Sequence, residues 1–264
     1  MGLLSHFTLV ATVFAKQRSP RPPIDFGPPG STTVTDSSAA SFLPLLLPLG
    51  AALVIGLVLY LGYQARQRRK AGFIQMANQL GLWYSAEDQF GLLGYPFALF
   101  QRGDGRGIEN VLHGVWQEVD VIAFDYWYYD ESSDGKTTSK TYYRFDCAIV
   151  PIEADCTRLE IGPETFFSRL AGALSFHDQQ FESGSFNDAF KVSCDVPKFA
   201  SDLIDARMMQ WLLTNATGYG FELIGNRVLV AGPKIDPIEL TTLLGVSRGF
   251  VQHVPKVVYA LYPG

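Results

Sequence analysis

The chain is poor in the residues that usually carry chemistry. Its three cysteines, Cys147, Cys156 and Cys194, are widely spaced in 264 residues, and no C-x-x-C occurs. An odd, scattered set leaves room for one bridge at most. It reads as small buried hydrophobes in a reducing compartment rather than a disulfide framework or a thiolate zinc site. The four histidines, His6, His113, His177 and His253, have no second His or Cys three or four positions on, so local metal-ligand spacing is missing. No Gly-Lys-Ser/Thr is present, which removes the P-loop. No metal or cofactor is implied.

Positive charge is also scarce outside one segment. Residues 72–264 carry 14 basic and 24 acidic side chains, a net −10. Such a balance excludes a broad nucleic-acid footprint, which needs clustered Lys and Arg. The basic residues that do cluster are Arg66, Arg68, Arg69 and Lys70, four within five positions.

Two glycine-rich runs resemble catalytic motifs and fail on context. Gly245-Val246-Ser247-Arg248-Gly249 fits G-x-S-x-G, but it lies inside a predicted helix, no acid follows Ser247, and the later histidine is only six residues on. Arg102-Gly103-Asp104-Gly105-Arg106-Gly107 precedes a strand rather than a helix, so it reads as a connector and not a phosphate cradle.

What the chain does have is one long apolar run. Phe42 to Tyr63 holds 22 residues without a charge. At about 1.5 Å per helical residue it matches the hydrocarbon thickness of a bilayer. Before it, residues 1–41 hold a mildly apolar, signal-like start at 1–15 and then five prolines among Ser and Thr, the composition of a disordered tail. After it come the four basic residues, and the nearest base before it is Arg21. By the positive-inside rule the tail lies outside and the rest of the chain is cytoplasmic, a single-pass protein of the cell inner membrane. Arg66, Arg68, Arg69 and Lys70 are the candidate contacts to anionic lipid headgroups.

The expected domains are a tail at 1–41, a transmembrane helix at 42–63, a basic juxtamembrane stalk helix at 64–82, and a cytoplasmic α+β domain at 83–264. Helical spacing of Phe73, Met76, Ala77 and Leu80 extends the helix to a stop at Gly81. Strands are predicted at 96–101, 109–116, 119–129, 141–152 and 157–161, all rich in β-branched and aromatic residues. Residues 130–140 form the tip of a hairpin between the two strongest. A helix is expected from Pro163 to about Leu174, short strands at 179–182 and 190–194, and a helix from Pro197 with a break at Asp205. A hairpin follows about Gly225-Asn226, then a helix opened by Asp236-Pro237 and running to His253. Mostly antiparallel strands with helices in the C-terminal half make an α+β fold.

Alternation along the central hairpin puts Phe124, Tyr126 and Tyr128 on one face and Asp125, Trp127 and Tyr129 on the other. Two aromatic faces exceed what one core needs. Trp127, Tyr129 and Tyr143 are therefore the candidate partner-binding residues.

In order, Gln79-Leu80-Gly81-Leu82-Trp83-Tyr84, Glu109-Asn110-Val111-Leu112-His113-Gly114, Ala123-Phe124-Asp125-Tyr126, Phe186-Asn187-Asp188-Ala189-Phe190-Lys191-Val192, Arg207-Met208-Met209 and Asp236-Pro237 form a recurring fingerprint. With it, residues 70–260 resemble a family of membrane-anchored actinobacterial proteins classed as a domain of unknown function. The resemblance lends no activity and no catalytic residue.

The function expected from sequence is a non-enzymatic, membrane-anchored module that binds or scaffolds a protein partner. The alternative is an enzyme or small-ligand binder whose site is assembled from distant residues, with His113, Asp120 and Asp125 as candidates.

Overall fold

The computed structural model describes residues 43–166 and 179–264. The tail at 1–41, Phe42 and the second part of the helix predicted from Pro163 lie outside them. The chain divides into two units, Met1–Val54 and Ile55–Gly264. The second holds every described element except the start of the first helix.

That helix, α1 (Leu43–Leu80), runs unbroken through the apolar stretch and the basic segment, with Pro48 inside it. Gly81 ends it at φ 69, and the Leu82 N–H closes the last turn onto the Ala77 carbonyl at 2.9 Å, the bond of a Schellman motif. Among the described residues no helix is long and apolar enough to cross a membrane; the apolar run at 42–63 lies partly outside those residues.

An antiparallel sheet comes next, with helices after it, so the α+β expectation holds. Strands β1 (Trp83–Glu87), β2 (Gly105–Trp116), β3 (Val119–Ser133) and β4 (Thr138–Gly162) form a meander. Then come α2 (Gly184–Ala189), β5 (Lys191–Cys194), α3 (Pro197–Leu203), α4 (Ala206–Asn215), β6 (Gly220–Pro233), α5 (Leu240–His253) and α6 (Lys256–Leu261). The 25-residue β4 is the spine. One of its edges takes β3 along its first part and β5 at its end, and β6 pairs along the other.

The sheet carries a core on each face. On one, Val121, Ala123, Ala148, Val150, Val228 and Val230 pack against Phe73, Met76 and Ala77 of α1 and against the C-terminal helices. On the other, Phe124, Tyr126, Tyr128, Phe145 and Leu229 pack under the segment holding Leu92, Phe97, Leu99 and Phe100. Burying a large apolar side chain stabilises by about 1.5–3 kcal/mol, so Phe73 and Met76 contribute directly to docking the end of α1.

Several expected elements differ. Residues 96–101 are not a strand: they end in a 3-10 turn at Leu99–Gln101, because the buried Glu222 carboxylate takes the Ala98 and Leu99 N–H groups at 2.5 and 2.9 Å. The strands predicted at 141–152 and 157–161 are both parts of β4, whose ladder shifts register about Pro151 and Cys156. Residues 221–231 are not a hairpin but the single strand β6, and Gly225, at φ 55, pairs with Cys156 at that irregularity. No strand forms at 179–182; the Gln179 N–H makes one bond to the Val192 carbonyl at 3.0 Å. Helices α2 and α6 are additions: Ser183 caps the first, and Pro255 separates the second from α5. The break at Asp205 is real, and its side chain caps α4 by accepting from the Met208 N–H at 2.7 Å.

Candidate functional site

The site grows from a conflict in the central ladder. Asp125 of β3 stands directly opposite Asp146 of β4, and both are buried. Two carboxylates facing each other destabilise a ladder unless a cation intervenes. Arg69 of α1 is that cation. Its Nε donates to Asp125 Oδ2 at 2.7 Å, its Nη2 lies 2.5 Å from both Asp125 Oδ1 and Asp146 Oδ1, and its Nη1 donates to the Ile235 carbonyl at 2.6 Å. The Ile235 N–H returns a bond to Asp146 Oδ2 at 2.8 Å. One guanidinium thus ties α1 to β3, β4 and the chain leaving β6.

Asn110 completes the cluster. It sits at the β2 bulge in the left-handed region, φ 52, which turns its amide onto Asp125 Oδ2 at 2.9 Å, and Tyr84 Oη donates to its carbonyl oxygen at 2.9 Å. Burial pushes both carboxyls up. For Asp125 the hydrogen bonds with Arg69, Asp146 and Asn110, together with the Arg69 charge, outweigh burial and hold it below the usual carboxylate range. For Asp146 burial, reinforced by the facing Asp125, wins and raises it.

Beside this clamp the same sheet face carries an aromatic ladder. Trp127 and Tyr129 stack at 6.3 Å with planes 11° apart, and Tyr142 of β4 leans on both at 6.0 and 5.3 Å. Lys140 lies over the Tyr129 ring and Arg144 over the Tyr142 ring, at 4.2 and 5.7 Å. The glycines of the Arg102–Gly107 run explain how large rings lie flat there. A Cβ on Gly105 would come within 2.4 Å of the Tyr129 ring, and one on Gly107 within 2.6 Å of Trp127. Far from being a loose connector, Gly105 to Gly107 belong to β2 and seat the ladder.

The expected partner-binding residues divide between faces. Trp127 and Tyr129 come together, whereas Tyr143 points the other way and stacks on Tyr128 at 4.8 Å. Its neighbour Tyr142, half exposed at 51%, takes its place in the ladder. The expected headgroup contacts also need correction. Arg66, Arg68 and Lys70 are exposed, but the Arg69 side chain is only 12% exposed and is consumed by the two aspartates. Sequence reading missed Asp146, Asn110, Arg144 and Lys234. The available signal was that Asp125 and Asp146 each follow a phenylalanine in the middle of an aromatic and apolar stretch.

The residues of the enzyme alternative do not converge as a set. His113 and Asp120 share a cleft of about 340 Å³ with Phe90, Tyr95 and Arg227. Asp125 lies on the opposite sheet face in the clamp. His113 meets Phe90 edge-on at 4.9 Å. Ser247 is buried in α5 and donates to the Leu243 carbonyl at 2.8 Å, so the G-x-S-x-G match presents no nucleophile. The three cysteines are buried and free. Among the described residues no group of His, Cys, Asp and Glu has the arrangement of a metal site.

Fold and site together define an α+β protein in which one helix is ion-paired onto the face of an antiparallel sheet. No protein-family model and no curated protein matches the chain. Among solved structures it is similar to the crystal structure of the mycobacterial trehalose monomycolate transport factor A, TtfA, at a TM-score of 0.46 and 15% identity, over 72% of this chain and 95% of that one. A likeness of that degree says nothing of what this chain does.

Proposed function

We propose that the chain is a single-pass protein of the inner membrane, with its tail outside. Its cytoplasmic α+β domain is a non-enzymatic module that binds a protein partner through the Trp127–Tyr129–Tyr142 ladder. The membrane reading rests on the uncharged run at 42–63 and the four bases that follow it. The observation that carries the binding reading is the ladder itself. Trp127 and Tyr129 are held in partial exposure over Gly107 and Gly105, with the half-exposed Tyr142 against them. Arg144 beside the rings, and Lys140 next to its Glu131 partner, favour a partner segment of acidic character on a domain that is otherwise acidic. Stacked aromatics next to a cation are the composition of an interface centre.

The test is a crosslinked pull-down from native membranes. It compares the full-length chain with its Trp127→Ala and Tyr129→Ala variants. A stoichiometric protein retained by the first and lost from both variants supports the reading. Unchanged co-purification with all three would remove the ladder from it.

A further inference from the structure

A second feature borders the ladder. The segment 65–70 of α1, β1, the middle of β2 and β3, the first part of β4 and Lys234 just after β6 line a cleft of about 860 Å³. Arg66, Lys70, Arg144 and Lys234 converge on it from three separate parts of the chain, and Trp127 and Tyr142 form its aromatic wall. Arg69 also borders the cleft but is already neutralised by Asp125 and Asp146. None of the four other cations forms an ion pair with a carboxylate among the described residues. Of the acids at the cleft, Asp125 is bound by Arg69, Glu109 accepts from Trp127 Nε1 at 3.2 Å, and Glu87 stands at the rim. Partial burial, then Arg69 and Arg144, lower the Lys234 pKa against the opposing pull of Asp125 and Asp146.

We infer that this cleft binds a phosphate ester, supplied by the headgroup of an anionic phospholipid in the membrane that α1 enters. Four convergent cations match a phosphate's oxygens, and the indole and phenol offer the amphipathic wall that headgroup regions favour. Position selects the lipid source. Arg66 and Lys70 follow the apolar run by three and seven residues, about 5–10 Å along a helix, the depth of the headgroup layer. Residues 72–264 carry a net charge of −10, so attraction to an anionic surface falls to the basic residues of 66–70 and to the cations gathered at this cleft. The lipid source rests on the membrane reading, while the phosphate chemistry of the cleft does not.

The full-length chain, labelled with 5-fluorotryptophan, is placed in nanodiscs of phosphatidylcholine with or without phosphatidylglycerol. A second sample in uncharged detergent is titrated with inorganic phosphate. The Trp127 fluorine resonance, assigned with Trp127→Phe, reports occupancy. The inference expects a shift with phosphatidylglycerol, weakened at least tenfold in Arg144→Gln and Lys234→Gln and unchanged in the charge-matched Lys256→Gln. A response to inorganic phosphate as strong as that to phosphatidylglycerol would uphold the phosphate site and overturn the lipid source. No shift in either sample, or an equal loss in Lys256→Gln, would overturn the site. Release of the chain from membranes by alkaline carbonate would sink the membrane reading alone, because the detergent titration still reads the cleft.

Discussion

Asp125 and Asp146 face each other across the β3–β4 ladder, and a single Arg69 nitrogen lies 2.5 Å from an oxygen of each. This arrangement makes the end of α1 part of the sheet's electrostatics as well as its packing. The ladder residues Trp127 and Tyr142 border the same cleft as Arg69, so the clamp and the proposed recognition surface form one continuous face.

Removing the cation leaves two buried carboxyls without it. Breaking a buried ion pair from one side costs roughly 3–5 kcal/mol, whereas replacing all its charges together costs far less. Urea unfolding is therefore expected to show a loss of that order for Arg69→Met. Most of it should return when Asp125→Asn and Asp146→Asn are added. Hydrogen exchange should show residues 70–80 opening in the single variant and closing in the triple.

The pair also predicts an asymmetric response to pH. Asp146, raised to about 7, keeps a proton in the folded state that the unfolded chain has already released. Stability contributed there is present below the ordinary carboxylate range and falls as pH rises to about 7. Asp125 is lowered, so its contribution is present above the ordinary range and is lost as pH falls through it. Buried Glu160 and Glu222, raised to about 7 and about 8, act in the same sense as Asp146. Thermal melts across pH should show Asp146→Asn flattening the decline toward neutrality while the decline toward pH 8 persists. A slope identical to the wild type would contradict the assignment.

The glycine seats make a geometric prediction. A methyl at Gly107 meets the Trp127 ring at 2.6 Å, so Gly107→Ala should cost about 1–3 kcal/mol and move the Trp127 signal in near-UV circular dichroism. Gly245 is the contrast: it lies exposed inside α5 with nothing within 4 Å of a new Cβ. Gly245→Ala should stabilise by about 0.5–1 kcal/mol.

The parts of the fold legible from sequence are those that local pattern determines. Gly81 stops α1 because only a left-handed residue closes that turn cheaply, and alternation sorts Phe124 and Tyr126 from Asp125 and Trp127 without knowledge of the partner strand. Gly225 misleads because it looks like a hairpin turn. In the fold it lies opposite Cys156, where the β4–β6 ladder shifts register without ending either strand. The run at 96–101 has strand composition but is turned by the Glu222 carboxylate, more than a hundred residues away. Arg69 looks in sequence like one of four equivalent bases. Its difference comes from Asp125 and Asp146, which no local spacing connects to it.

The most direct test of the recognition surface places a photo-crosslinking amino acid at Tyr142, 51% exposed, with Val257, 42% exposed, as a control on another part of the domain. The full-length chain is irradiated in native membranes. A partner held by the aromatic ladder should give one discrete crosslinked protein from position 142 that disappears when Trp127→Ala is added, and none from position 257. The same adducts from both positions, or none from 142, would contradict a recognition role for the ladder.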